Sequence, residues 1–367
     1  MGGKSFLFGS FLFGLSILVG FATASRAEQP SIKRAVVISF GLSAGGQGVG
    51  CGPDIKGLGK NHVDAKLHDA RFYISGLALV ERSGREIPVE LEQNDWQYAD
   101  TALLNFADKS GACKGMTTLN DSIKGTVPPG HYEGLVFTVG VPSLVKGEDG
   151  KDVVLNHSNF ATAPAPLDIQ AMAWNWLAGR KFIKIEVDPE GGVTRPPLPQ
   201  RPKQTASAAP APGATSDAAN GSDPAKADPT KSDPPEAVKV NADGTVTVAT
   251  WMLHLGSTGC KGDPLTGEII SCSAANRVPV RFAAFNPDKQ RVVLDLEALF
   301  AGVDLNRDTG GATGCMSGPF DGECPPIFEK LGLNLKETAP DANDAGRPSK
   351  TGVKIFRVES KPRAALK

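Results

Sequence analysis

The 367-residue sequence has no surplus charge of either sign: 39 lysines and arginines face 40 aspartates and glutamates, for a formal net charge of −1. No basic cluster stands out, so a nucleic-acid partner is not expected. Histidine is scarce. The five residues are His62, His68, His131, His157 and His254, and none pair as H-E-x-x-H, which removes zincin chemistry. No G-x-x-x-x-G-K-[ST] occurs, and the glycine-rich stretch around Cys51 leads into no helical pattern, so a phosphate cradle is unsupported. The cysteines lack C-x-x-C-like spacings, which argues against a structural zinc site. Helical periodicity is missing over any long window. After the N-terminal segment, no run is apolar and long enough to cross a bilayer.

What is present starts with a leader. Lys4 precedes an apolar run from Phe6 to Ala24, closed by Ser25-Arg26-Ala27, the pattern of a secretory signal peptide over residues 1–27 cleaved near Ala27. Export makes the six cysteines meaningful, because an oxidising compartment favours bridges. The short spacings favour Cys260–Cys272 and Cys315–Cys324, which leaves Cys51–Cys113.

Short β-branched and apolar segments separated by Gly, Pro, Asn and Asp turns predict a mostly β chain. Examples are Ala35–Leu42, Ala70–Val80, Tyr132–Val141 and the alternating Lys181–Val187. Composition changes at residue 189. From there to 237 the chain is Pro, Ala, Ser, Asp, Thr and Lys, too poor in large apolar residues to offset its ordering entropy. Too few strands follow for an independent sandwich. The expected architecture is a single antiparallel β-sandwich-like domain interrupted by a long disordered insertion. Its first part covers 33–188, the insertion 189–237 and the second part 238–335. A flexible stretch at 336–350, a terminal strand at 351–360 and a tail at 361–367 follow. Glu297–Ala301 and Pro326–Leu331 read as short helical pieces.

Candidate sites are few. Asp304-Leu305-Asn306-Arg307-Asp308-Thr309-Gly310 resembles the start of a calcium loop, but its glycine is one position late and the later acidic ligand is missing. A plain Asp/Asn turn accounts for it. The segment Met172-Ala173-Trp174-Asn175-Trp176 concentrates two of the four tryptophans and a methionine. If extended, it places Met172, Trp174 and Trp176 on one face. Pattern alone reads this as core packing; a thioether is also a soft ligand suited to Cu(I).

Taken together, the motifs resemble the MbnP family of copper proteins, also described as metallo-mystery-pair four-cysteine proteins and associated with methanobactin operons. The matching pieces are Asp69-x-Arg71-Phe72-Tyr73, Trp96-Gln97, Ala102-Leu103-Leu104, Gly134–Pro142, Asn156-His157 and Met172-x-Trp174-x-Trp176. They continue with Lys181-Phe182, His254–Cys260, Asn276-Arg277, Cys315-Met316-Ser317-Gly318 and Phe356-Arg357. They lie on both sides of the insertion, in order, which again makes it an interruption of one domain.

The resemblance implies a periplasmic Cu(I)-binding protein, not an enzyme, that stores, buffers or delivers copper. It further implies that Trp174 is oxidised to kynurenine by a dihaem MbnH-like partner of the peroxidase/MauG type. The family's site uses histidine and methionine, which makes His254, His157, Met172 and Met316 the candidates here. His254 and Met172 rank first because their neighbours read as strand, and Met316 beside Cys315 is the rival. Two other readings stand against this one. A carbohydrate-binding or adhesion module would display Trp174 and Trp176 as an exposed platform. An exported hydrolase would need a nucleophile–base pair that the sequence does not offer.

Overall fold

The computed structural model describes Gly2 and residues 32–147, 149–175, 179–197, 238–262, 269–335 and 353–362. Strand β1 (Arg34–Ala44) alternates, sending Val36, Ile38, Phe40 and Leu42 inward. The long β2 (Val63–Glu81) follows, then β3 (Thr101–Asn105), β4 (Ser122–Val127), β5 (Tyr132–Val139) and the short β6 (Ala173–Asn175). Next come β7 (Gly179–Pro189), β8 (Val193–Arg195), β9 (Val246–Val248), β10 (Trp251–Gly256), β11 (Thr258–Gly262) and β12 (Ile269–Ala274). The chain closes with β13 (Val278–Phe282), β14 (Gln290–Asp295), helix α1 (Leu296–Phe300), β15 (Gly314–Cys315), helix α2 (Cys324–Leu331) and β16 (Phe356–Ser360).

These strands form two principal sheets. One runs β16-β14-β1-β4 and ends on the Glu90–Leu91 strand; the other runs β13-β5-β2-β7-β10-β15. Phenylalanines from both meet between them: Phe40 against Phe137 with centroids 5.7 Å apart, and Phe137 against Phe356 at 5.6 Å, both edge-to-face. The result is a β-sandwich. Strands from either side of residues 198–237 share both sheets, with β7 beside β10, β5 beside β13 and β1 beside β14. Lys33–Lys367 is one compact unit. Among the described residues, no helix is long and apolar enough to cross a membrane.

Three expectations need correction. Pairing is not wholly antiparallel: β1 runs parallel to β14, with Ser39 opposite Arg291, and β10 runs parallel to β15, with Met252 opposite Gly314. Long connections separate both pairs in sequence, and that length permits the crossover that parallel pairing needs. The insertion begins later than residue 189. Gly191 and Gly192 turn the chain with positive φ, and β8 then pairs with β9, burying Val193 completely. A three-residue alternation is easily lost beside a long Pro/Ala/Ser run. The terminal strand starts at Phe356, not 351. The signal segment 1–27 (apart from Gly2), residues 198–237 of the insertion, the stretch 336–350 and Trp176 lie outside the described residues.

The three bridges form as the spacings favour: Cys51–Cys113, Cys260–Cys272 and Cys315–Cys324. The last ties the first turn of α2 to β15. Pro325 and Pro326 open α2, where their missing N–H groups cost nothing, and Gly332 closes it at φ 67°.

Candidate metal centre

Alternation along three adjacent strands builds the site. On β2, Ala70, Phe72 and Ile74 point into the sandwich core, which turns Asp69, Arg71 and Tyr73 to the outer face. On β7, Ile183 and Ile185 point inward, leaving Lys184 and Glu186 outward. On β10, Leu253 and Leu255 point inward, leaving Met252, His254 and Gly256 outward. Register then places Lys184 between Arg71 and His254, and Glu186 between Asp69 and Met252.

The outer face of a sandwich sheet is ordinarily wet. Here it is dry: Asp69 is 0 % exposed, Glu186 6 % and His254 8 %. A second, smaller core covers part of that face, with Tyr73 and Phe182 of the sheet meeting Val141, Leu155, Leu167 and Met172 of the segment before β7. Arg180, itself fully buried, fastens this covering layer by donating to the carbonyls of Leu155, Asn156 and Leu167. Its guanidinium also lies 4.5 Å from the centre of the Phe160 ring.

The buried charges form an alternating chain. Arg71 grips Asp69 with two donors, one of them at 2.8 Å. Lys184 Nζ reaches Asp69 Oδ2 at 2.5 Å and Glu186 Oε2 at 2.7 Å. Glu186 Oε1 lies 2.7 Å from His254 Nε2. Burial alone would raise the Glu186 carboxyl, but the hydrogen bond to His254 and the Lys184 ammonium hold it well below the usual carboxylate range. Burial pushes His254 down to about 4, outweighing the Glu186 carboxylate. At neutral pH an ionised Glu186 accepts only, so neutral His254 donates its Nε2–H and keeps its lone pair on Nδ1. A carboxylate behind an imidazole is the arrangement that orients a histidine for a metal.

Met316 joins this face. Met252 opposes Gly314 and Leu253 opposes Cys315 on parallel β15; continuing that alternation one residue past the strand's end puts Met316 on the outer side, level with His254. Its segment is pinned on both flanks. Asp321 Oδ2 accepts from the Met316 N–H at 2.8 Å, and Ser317 Oγ donates to the His254 carbonyl at 2.9 Å. Trp174 is half-buried over Gly256: a Cβ on Gly256 would stand 3.0 Å from two carbons of its six-membered ring. Only glycine allows that approach. His254, the Trp174 ring over Gly256 and, by continued alternation, Met316 therefore share one face of the sheet.

The other predicted residues are placed as follows. Met172 closes a 3₁₀ turn (Gln170–Met172) and is fully buried in the smaller core, so the alternation drawn for an extended Met172-x-Trp174 fails at its first residue. His157 sits beside β12, its Nε2 3.7 Å from Cys272 Sγ. Trp251 is core, edge-on to Phe300, and Trp96 packs at the margin of the smaller core. His62 occupies an exposed turn and His131 is exposed, while His68 Nδ1 lies 3.1 Å from Asp188. Asp304 and Asp308 behave as turn residues. Asp304 accepts from Asn61 and the Asn306 N–H, and Asp308 accepts from the N–H groups of Gly310 and Gly314.

Two features escape a reading of the sequence. Met252 shares a face with His254, and the Met-x-His spacing on a strand is its signal. Glu186 and Lys184 read only as the polar half of an alternating strand, with nothing to say that the face is covered. Gly41-Leu42-Ser43-Ala44-Gly45 matches G-x-S-x-G, but Ser43 lies within β1, opposite Asp295, and is 2 % exposed. Its Oγ lacks any partner, and no strand-to-helix elbow is present.

Fold and site define a mostly β, three-disulfide protein with an imidazole–carboxylate pair buried on the outer face of one sheet. The MbnP family profile matches residues 33–195. The solved structure of MbnP from Methylosinus trichosporium is 42% identical, with a TM-score of 0.70 over 90% of this chain and 100% of that one. No curated protein matches. The chain belongs to the MbnP family.

Proposed function

We propose that the protein is an exported, periplasmic Cu(I)-binding protein that stores, buffers or delivers copper and is not itself an enzyme. The observation that carries this reading is that His254, buried and oriented by Glu186, shares a sheet face with the half-buried Trp174 over Gly256 and, by continued alternation, with Met316. A neutral imidazole and a thioether suit the soft Cu(I) ion. The donor set thus fits the ion, with His254 and Met316 as its holders. Three disulfides support an oxidising compartment.

Trp174 is the residue for modification by a dihaem partner of the peroxidase/MauG type. Opening its indole to kynurenine would put a ketone and an aromatic amine where an apolar ring now covers Gly256. Peptide mass spectrometry of protein isolated with and without the co-expressed partner tests this part; an unmodified Trp174 in fully copper-loaded protein refutes it. For the ligands, Cu(I) competition against His254→Ala and Met316→Ala should show weakened binding, with Met172→Ala close to wild type. Wild-type affinity in both His254→Ala and Met316→Ala sinks the assignment.

A further inference from the structure

We infer a second Cu(I) site, opened by reduction, at His157, Cys260 and Cys272. The ligand atoms of the three lie within 4.8 Å of one another, with His157 Nε2 3.7 Å from Cys272 Sγ. Bridged sulfurs are poor ligands; as thiolates, the two cysteines and the imidazole are a soft three-donor set for Cu(I).

Reduction would not scatter these ligands. Cys260 and Cys272 stand directly opposite one another on antiparallel β11 and β12, so the ladder as well as the S–S bond keeps them adjacent. His157 is held from the other side. Its neighbour Asn156 accepts from the Arg180 N–H through Oδ1 at 3.0 Å, gives its carbonyl to the Arg180 guanidinium at 2.6 Å, and reaches Ser257 Oγ at 3.4 Å. Asn156 Nδ2 also lies 3.5 Å from His157 Nε2, at the limit of a hydrogen bond and weak enough to yield to a metal.

This bridge is also within reach. Cys260 is half-buried between the exposed residues Gly259 and Lys261, as Cys51 is in its bridge to the buried Cys113, whereas Cys315 and Cys324 are both 0 % exposed. A small dithiol reductant attacks through its thiolate at the Cys260 sulfur, and Cys272 leaves as thiolate. The reductant's second thiol then displaces Cys260, and the reductant departs as a disulfide, so two electrons and two protons pass to the protein. Cu(I) replaces the thiol protons on binding. Reoxidation by a small disulfide, which takes up the two electrons and leaves as two thiols, re-forms the bridge, removes both thiolate ligands and releases the ion.

This set shares no residue with the His254–Met316 set, and the test separates the two. Full-length protein is treated with limiting dithiothreitol, its free thiols are mapped by alkylation and peptide mass spectrometry, and its Cu(I) stoichiometry is measured by competition with bathocuproine disulfonate. Cys260 and Cys272 should be alkylated first, with the other bridges intact, and one further equivalent of Cu(I) should bind. That equivalent should persist in His254→Ala, disappear in the Cys260→Ser/Cys272→Ser variant and weaken by about tenfold or more in His157→Ala. X-ray absorption should show sulfur at the added copper. Equal stoichiometry before and after reduction, prior opening of another bridge, or an unchanged added equivalent in His157→Ala overturns the proposal. If the double serine variant misfolds, the chemical reduction and His157→Ala arms still decide it.

Discussion

Replacing Glu186 by glutamine should separate two roles of one carboxylate. In the native chain the fixed charges alternate Arg71, Asp69, Lys184, Glu186, and they cancel in a region where no member is more than 6 % exposed. Glu186→Gln leaves Lys184 and Arg71 sharing Asp69 alone, an uncompensated buried charge. Removing one partner of such a pair costs about 3–5 kcal/mol. Glutamine keeps the shape and one acceptor for His254, which places the expected loss at the lower end, about 3 kcal/mol. An exposed pair such as Glu81–Arg85, with the arginine side chain 68% exposed, provides the contrast; Glu81→Gln should leave stability essentially unchanged. Denaturant unfolding with the bridges intact measures both. The same variant loosens the imidazole, so Cu(I) affinity should fall by about 10–100-fold. A Glu186→Gln protein within about 0.5 kcal/mol of wild type, and binding copper as tightly, would refute the reasoning.

Acid should weaken the fold through His254. Its folded pKa of about 4 lies below the ordinary 6.5, so its contribution is complete above 6.5 and is lost as pH falls towards 4, by about 3 kcal/mol at most. His68 runs the other way: burial opposes protonation, but the Asp188 carboxylate raises its pKa, so its contribution is lost as pH rises. The decisive measurement is therefore the pH dependence of wild type minus that of His254→Gln, which should slope only in the acidic window. Gly256→Ala should push the Trp174 ring away, shift its fluorescence and cost about 1–3 kcal/mol, because the new methyl meets ring carbons at 3.0 Å and the Arg180 carbonyl at 2.9 Å. Arg180→Met should leave the carbonyls of Leu155, Asn156 and Leu167 without their donors. Amide exchange across 141–175 should then accelerate while β1 and β2 stay protected; uniform protection would mean that Arg180 does not hold the covering layer.

Much of the sandwich was legible because period-2 alternation is a local signal. Ala35–Leu42 and Lys181–Val187 announce strands with one buried side, and Arg34–Ala44 and Gly179–Pro189 are the strands that form. The covering layer was not legible. Lys184 and Glu186 alternate with isoleucines as they would on a wet face; the second layer is brought over that sheet by Arg180, with its donors fixed on backbone carbonyls, and by the apolar contacts of Tyr73 and Phe182. Parallel pairing was hidden for a related reason. Nothing local in Gly314-Cys315 says that it will lie along β10, yet this pairing, not spacing in sequence, sets the segment that leads to Met316 beside the strand of His254. Trp174 was legible as a residue of interest, but its seat depends on a glycine in a strand 82 residues away, a relation no window of sequence contains.

The cancelling charges also bear on which ion such a face accepts. Arg71 and Lys184 balance Asp69 and Glu186, and the proposed donors, an imidazole held neutral and a thioether, bring no charge of their own. A bound ion would then enter a dry region uncompensated, at a cost that grows steeply with its charge. Lys181 sharpens the effect: burial and the neighbouring Lys184 lower its pKa to about 8, so at neutral pH it still adds positive charge near His254. A monovalent soft cation is penalised least by these surroundings, whereas a divalent ion lacks the carboxylate or thiolate ligand that would offset it. Each Glu186 oxygen is already engaged, Oε2 by Lys184 and Oε1 by His254. The network that orients the histidine thus also discriminates by charge, and Glu186→Gln, which makes the region more positive, should lower affinity for divalent ions even more than for Cu(I).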